Sequence, residues 1–314
     1  MPELAIPEIK LPKVELNIYT PKDPVEVPVV ENRIVTKESS PNFIRHISFD
    51  VSGTELEGRI HVGQAFGIVP PGTNEKTGRP YKLRLYSMAS PFAGEDGDGK
   101  IISTTVKRVI EEWDDEGLYL GVCSNYLCDL EPGDKVKMTG PSGRRFLLPE
   151  NKEEFNYIFF AAGTGIAPFR GMVKELLEAG VEKDIVLIFG CPYRTDILYP
   201  DYFEEMAEKH PNFHFLLSIS REDRRPDGSK KYVQTQLVDR KDLLSPILAK
   251  ENTLMYICGL KGMESAIYRR LALDGFSDYL DVKEKIQDKS PEEWDEHDFL
   301  RNIKPGERSF VEVY

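Results

Sequence analysis

Between residue 33 and Pro149 the apolar positions fall in short alternating runs, at 43–51, 65–69, 101–109, 119–123 and 135–139, separated by glycine, proline and aspartate clusters. Alternation of this kind, punctuated by turn residues, predicts an antiparallel β-barrel or sandwich. Beyond Pro149 the pattern changes. Apolar runs at 157–162, 184–190, 213–220 and 253–259 alternate with helix-like stretches at 167–179, 200–209, 234–249 and 261–272. In the first of these stretches Phe169, Met172, Val173, Leu176 and Leu177 keep the spacing of one helix face, and Gly180 supplies a stop. Strands alternating with helices predict βαβ units and a parallel sheet. Ligands bind such sheets at the carboxyl ends of the strands, where the turn at Gly163, Ser220 and Cys258 all fall. Residues 1–27, rich in Pro, Glu and Lys, read as an extended arm. The fold class is therefore two-domain, β followed by α/β, divided as an arm over 1–27, an antiparallel domain over 28–150 and a parallel domain over 151–314.

Composition narrows the classes of function. The chain has 314 residues, enough for two separate cores, with 41 basic against 53 acidic side chains and a net charge of −12. That balance argues against nucleic acid as a partner. No apolar run approaches the roughly 20 residues needed to cross a bilayer, so no membrane insertion is expected. The start of the chain has neither a secretory apolar segment nor a transit-peptide pattern. Cys123, Cys128, Cys191 and Cys258 are widely spaced and form no metal pattern, which points to free thiols in a cytoplasmic protein without metal. The polar stretch 94–99 reads as a flexible loop, since the remaining ligands of a calcium loop are missing.

Two strings carry candidate chemistry. In a strand over Arg84-Leu-Tyr-Ser87, Arg84 and Tyr86 share one face and Ser87 takes the other. Arg84 suits capture of a pyrophosphate and Tyr86 suits stacking on an aromatic ring system. Gly163-Thr-Gly165 follows an apolar run and precedes an amphipathic one, the pattern of a strand–turn–helix phosphate cradle. Each string alone is commonplace, and the third glycine of a dinucleotide fingerprint is missing, with Pro168 near its place. Their order matters more: a ring-and-anion site on β structure, then a phosphate turn opening an α/β segment, suits a two-cofactor electron-transfer enzyme.

Along nearly its whole length the chain resembles the plant-type ferredoxin–NADP(H) reductases. The resemblance is carried by Gly63-Gln-Ala-Phe-Gly67, Lys82-Leu-Arg-Leu-Tyr-Ser-Met-Ala-Ser90, Val106-Lys-Arg108, Gly121-Val-Cys-Ser-Asn-Tyr-Leu127 and Gly140-Pro-Ser-Gly143. It continues through Gly163-Thr-Gly-Ile-Ala-Pro-Phe-Arg170, Ser220-Arg-Glu222, Tyr232-Val-Gln234, Cys258-Gly-Leu-Lys-Gly-Met263 and Val311-Glu-Val-Tyr314. It implies a barrel that binds FAD and a parallel domain that binds NADP(H). The activity implied passes electrons between NADPH, as hydride, and a one-electron carrier, ferredoxin or flavodoxin. Service to another acceptor, such as an oxygenase component, a haem protein or a quinone, is the alternative. A monomer is expected.

The same resemblance assigns roles. Arg84 holds the FAD pyrophosphate, Tyr86 stacks on the flavin, Ser87 bonds its reactive edge, and Cys123 and Ser124 offer backbone N–H groups. Tyr314 covers the other flavin face. Cys258 touches the nicotinamide, and Glu312 relays a proton. Ser220, Arg221, Lys230 and Tyr232 take the 2′-phosphate end of NADP(H), while Thr164, Lys107, Cys191 and Pro192 line its path. Leu85, Thr105, Val106, Val122, Gly163, Gly165, Gln234, Gly259 and Leu260 complete the implied cofactor contacts. In one place the chain departs from the family: an aromatic residue for adenine is expected three positions after Arg108, where Glu111 stands, leaving Trp113 or Tyr119 as substitutes. A reactive thiol at Cys258 is the competing chemistry. An acidic carrier needs a basic patch, for which Arg79, Lys82, Arg84, Arg144, Arg145, Arg301, Lys304 and Arg308 are the candidates. The acidic stretch 291–298 has no assigned role.

Overall fold

The computed structural model describes residues 6–113, with Trp113 by its backbone alone, and 117–313. Two compact units result: Leu11–Leu148 with Ala167–Glu175, and Pro149–Ile166 with Leu176–Tyr314 and the residues through Lys10.

The first unit holds β1 (Val25–Ile34), β2 (Ile44–Asp50), β3 (Ala65–Val69), β4 (Arg84–Ser87), β5 (Ile101–Lys107), the hairpin β6 (Ile110–Trp113) and β7 (Gly117–Leu120), α1 (Val122–Asp129) and β8 (Lys135–Ser142). Six strands form an antiparallel sheet in the order β4-β3-β8-β1-β2-β5. Its edges meet: Thr104 Oγ1 donates to Ser87 O at 2.8 Å, and Ala89 N–H donates to Ser103 O at 2.7 Å. The sheet thus closes into a barrel, which removes the exposed edges an open sheet would carry. Val27, Ile47, Phe49, Phe66, Ile68 and Met138 fill it with no exposed surface. Because β1 begins at Val25, the segment expected to be arm ends in a strand whose Val27 is core.

Polar residues line the opposite face of β2. His46 and Ser48, both buried, stand across from Thr105 and Ser103 on β5. Above them Glu95 accepts from Ser103 Oγ at 2.6 Å and from Arg170 at 2.5 and 3.0 Å, and Arg170 also donates to Ala89 O at 3.1 Å. The loop expected to be flexible over 94–99 is therefore pinned at Glu95, whose N–H also donates to Ile101 O.

The apolar run 119–123 is not one strand. β7 stops at Leu120, and α1 starts at Val122. Asn125 Nδ2 donates to Gly121 O and Val109 O at 2.8 and 2.9 Å, and Ser124 Oγ donates to Gly121 O. These side-chain bonds fold the chain back at Gly121 and turn an apolar stretch into a helix.

The second unit is a five-stranded sheet of β9 (Asn156–Ala162), β10 (Ile185–Cys191), β11 (Phe213–Ile219), β12 (Thr253–Gly259) and β15 (Ser309–Val313), every pair parallel, in the order β11-β10-β9-β12-β15. Its strands are almost continuously apolar, as strands covered on both faces must be. Helices α2 (Ala167–Glu178, divided between the units after Glu175), α3 (Pro200–Lys209), α4 (Gln236–Asp239), α5 (Lys241–Leu248) and α6 (Lys261–Leu273) connect them. The stretch 234–249, expected as one helix, breaks at Arg240 into α4 and α5.

A two-stranded ribbon, β13 (Leu280–Val282) with β14 (Ile303–Pro305), brackets α7 (Glu296–Arg301). The acidic stretch is structural here: Asp295 and Asp298 form a capping box, Lys289 pairs with Asp298 at 2.6 Å, and Trp294 is buried in the core. Among the described residues, no helix is long and apolar enough to cross a membrane.

Candidate functional site

On the barrel, β4 presents the first cluster. Arg84 and Leu85 are exposed and Tyr86 and Ser87 half-buried. The Tyr86 hydroxyl hydrogen-bonds the Cys123 thiol on α1. Burial, then the Cys123 contact, pushes Tyr86 well above the usual phenol range, so the ring stays neutral. Burial likewise raises Cys123, against the pull of the Arg84 charge. Arg84, Tyr86 and the start of α1 thus stand together.

No side chain caps α1, and no acid lies in its first turn. The first N–H groups of a helix have no intrahelical partner and favour an anion. An exposed guanidinium, a half-buried neutral ring and an open helix start fit a diphosphate joined to a flat ring system. Val122 is exposed beside them, while Cys123 and Ser124 are buried. On β5 the side chains of Thr105 and Val106 are buried in the barrel wall and Lys107 is exposed. Across the β6–β7 hairpin, Glu111 pairs directly with Tyr119, which is 44% exposed. An aromatic ring thus occupies the strand position opposite the carboxylate.

In the second unit the cluster gathers at the carboxyl ends of the parallel strands. β9 and β12 are neighbours whose crossovers run to opposite sides, the place where such sheets open a crevice. Between them the turn Gly163–Ile166 follows β9. A Cβ on Gly165 would lie 2.2 Å from Cys258 O, so only glycine lets the turn approach β12. Gly163 adopts a φ of +54° with open space around it. Thr164 is half-buried, Gly259 buried and Leu260 60% exposed.

Cys258 stands opposite Glu312 in the β12–β15 register. Burial, then the Glu312 charge, drives the Cys258 thiol far above its ordinary range. A thiol so protonated is no nucleophile. Tyr314 lies outside the described residues.

At the next strand ends, Ser220 N–H donates to Cys191 O and Arg221 N–H to Pro192 O, both at 3.0 Å. The exit of β11 is thereby laid against the exit of β10. Burial, then Asp196, pushes the Cys191 thiol up to about 12. Arg221, Lys230 and Tyr232 are exposed and Gln234 half-buried, and Arg224 and Lys230 bridge the intervening loop. Among the described residues no carboxylate pairs with Arg84, Arg221 or Lys230.

Of the basic patch, Arg79, Lys82, Arg144 and Arg145 on the barrel are exposed, as are Arg301 and Lys304. Arg308 is not available. It bonds Asp278, Tyr279 Oη, Lys250 O and Thr253 O and is a structural residue. Sequence reasoning passed over Tyr193 and Arg194, which contact Arg221, Glu222 and Asp223, because neither belongs to a motif.

Residues 159–269 match the family model of the oxidoreductase NAD-binding domain. A ferredoxin–NADP reductase from a Spirulina species is 43% identical over 261 residues, covering 81% of this chain and 87% of its own. Chloroplastic leaf isozyme 1 of ferredoxin–NADP reductase from Arabidopsis thaliana is 38% identical over 291 residues, 90% of this chain and 79% of its own. Ferredoxin–NADP+ reductase from Plasmodium falciparum superposes with a TM-score of 0.69 at 25% identity, over 95% of this chain and 99% of that one.

Proposed function

The chain belongs to the ferredoxin–NADP reductase family, and on that premise we propose that it moves electrons between NADPH and ferredoxin with FAD bound to its barrel. The observation that carries the reading is the meeting of Arg84, Tyr86 and the uncapped start of α1, a cradle for a diphosphate and a stacked ring. Bound FAD supplies the exchange of one hydride from NADPH for two single electrons. Arg84 and the first N–H groups of α1, with Val122, Cys123 and Ser124, hold its diphosphate. Tyr86 stacks as a neutral ring, Ser87 bonds the reactive edge, and Leu85, Thr105, Val106 and Lys107 shape the surrounding wall. Tyr119 takes the adenine in place of the aromatic that Glu111 replaces.

The parallel domain, 151–314, receives NADP(H), and the barrel domain, 28–150 together with the first residues of β1 from Val25, receives FAD. The Gly163-Thr164-Gly165 turn holds the pyrophosphate, and Cys191, Pro192 and Gln234 flank the ribose path. Ser220, Arg221, Lys230 and Tyr232 bind the 2′-phosphate and adenine, giving preference for NADPH over NADH. Gly259 and Leu260 back the nicotinamide. Cys258 fits it as a thiol, Glu312 relays a proton beside it, and Tyr314 gates it. Flavodoxin is a second carrier, and the protein acts as a cytoplasmic monomer, a setting its four free thiols suit.

Colour tests the reading. The purified protein is expected to be yellow, and NADPH without oxygen bleaches it far faster than NADH does. A colourless protein that takes up no FAD refutes it.

A further inference from the structure

We infer that Tyr193 and Arg194, on the turn that follows β10, are positioning residues that set the choice of NADPH over NADH. The inference rests on reading Arg221 and Lys230 as the 2′-phosphate site. That reading faces an electrostatic difficulty. Arg221 is followed at once by Glu222 and Asp223, two carboxylates that would repel a phosphate and compete for the Arg221 guanidinium. In dinucleotide-binding sheets an acid bonds the unphosphorylated ribose, whereas a 2′-phosphate calls for a cation.

Arg194 removes the difficulty. Its backbone N–H donates to Glu222 Oε2 at 3.1 Å, and its guanidinium lies 3.5 Å from the same carboxylate. The guanidinium also pairs with Asp223. One cation from the neighbouring turn therefore compensates both acids. Arg221 is left with a partner of a different kind. Its Nη1 donates to Tyr193 Oη at 2.9 Å, and its guanidinium carbon lies 5.5 Å from the Tyr193 ring centroid. A phenol and a ring face aim the guanidinium without cancelling its charge, whereas a carboxylate would do both. Three hydrogen bonds hold this geometry in place. Besides the two that lay the strand exits together, Asp223 N–H donates to Ile219 O at 2.9 Å.

Removing Arg194 leaves two uncompensated carboxylates beside the bound phosphate, and NADP(H) is penalised while NAD(H) is not. The test uses the holoenzyme with ferricyanide as acceptor, and titration calorimetry with 2′-phospho-AMP against 5′-AMP. Arg194→Ala is expected to raise KM for NADPH and Kd for 2′-phospho-AMP roughly three- to tenfold. Its kcat, its KM for NADH and its affinity for 5′-AMP should stay within about twofold. The triple variant Arg194→Ala/Glu222→Gln/Asp223→Asn restores the wild-type preference, a recovery that a merely structural role for Arg194 does not produce. Tyr193→Phe keeps the ring and loses less preference than Tyr193→Leu. An unchanged NADPH/NADH ratio in Arg194→Ala, or no recovery in the triple variant, overturns the inference. Arg221→Ala/Lys230→Ala serves as the control. If that pair leaves the ratio unchanged, the reading of the site itself fails; if it collapses the ratio while Arg194→Ala does not, only the inference fails.

Discussion

His46 makes the barrel unit acid-sensitive through a buried, neutral imidazole. The ring is 1% exposed; its Nε2 lies 3.2 Å from Ser48 Oγ, 3.6 Å from Glu95 and 3.9 Å from Glu31. Burial, then the Arg170 charge, lowers its pKa from 6.5 to about 3, with Glu95 opposing and Arg33 adding a little. The fold therefore holds a neutral ring that the unfolded chain would protonate. Stability from this group is complete above the unfolded pKa and drains away as the pH falls toward the folded one. Between about pH 7.5 and pH 5.5 the unfolded ring gains most of a proton and the folded one almost none, which costs about 1.4 kcal/mol. Glu95 does not share in this window. Burial pushes its pKa up, but Arg170 and Ser103 outweigh burial and hold it below the ordinary value of 4.5, so its contribution is lost only at lower pH. His46→Gln keeps a hydrogen bond for Ser48 and removes the titration. Urea unfolding followed by flavin release should show the wild-type midpoint falling about 0.5–1 M more than the variant's between the two pH values. Equal falls in both proteins would refute the reasoning, whatever their absolute stabilities.

Gly165→Ala drives a methyl into the backbone of Cys258 and Gly259, so a loss of about 2 kcal/mol or more is expected, the scale of a severe core change. Gly163→Ala meets open space and should cost about 1 kcal/mol of backbone strain; thermal melts of the pair should rank them in that order, and the reverse order would falsify the packing argument. Cys258, a protonated buried thiol, should resist iodoacetamide at neutral pH while the fold is intact, and rapid inactivating alkylation there would restore the nucleophile reading. Lys82→Glu with Arg144→Glu should slow ferredoxin reduction steeply and ferricyanide reduction less than about twofold, the carrier rate falling as salt passes about 0.15 M; equal loss in both assays would place the defect in the flavin site instead.

Most of the architecture was legible because periodicity follows burial. The parallel strands are covered on both faces and run continuously apolar; the barrel strands alternate. The failures have local causes. The run 119–123 is apolar throughout, so nothing in its pattern distinguishes strand from helix; the deciding bonds come from the side chains of Ser124 and Asn125. The loop 94–99 has the composition of a flexible turn, and what fixes it is one carboxylate meeting Ser103 and Arg170. Those partners are distant in sequence, and no spacing rule joins them. Arg308 looked like a surface cation, whereas its guanidinium holds the ends of three segments together. The Gly163 and Arg84 motifs were legible because their chemistry is consecutive in the chain. Tyr193 and Arg194 were not, since their role depends on two strand exits lying side by side.

Ion pairing bears on the two proposed anion sites of this acidic chain. With 53 acids to 41 bases, carboxylate partners are plentiful, and several arginines have one. Arg108 has Asp129, Arg170 has Glu95, Arg225 has Asp239, and Arg308 has Asp278. Arg84 and Arg221 are different. Each lies beside a helix start or strand end, and each has a tyrosine nearby, Tyr86 or Tyr193. A guanidinium kept from carboxylates retains its full charge for a ligand and has no internal ion pair to break on binding. Such an arrangement is costly in a protein of net charge −12, since stray carboxylates must be actively held away. Arg194 does this for Glu222 and Asp223. Among the described residues neither Arg84 nor Arg221 has a carboxylate partner, as the proposed anion sites require, and Arg194 takes up both acids that neighbour Arg221.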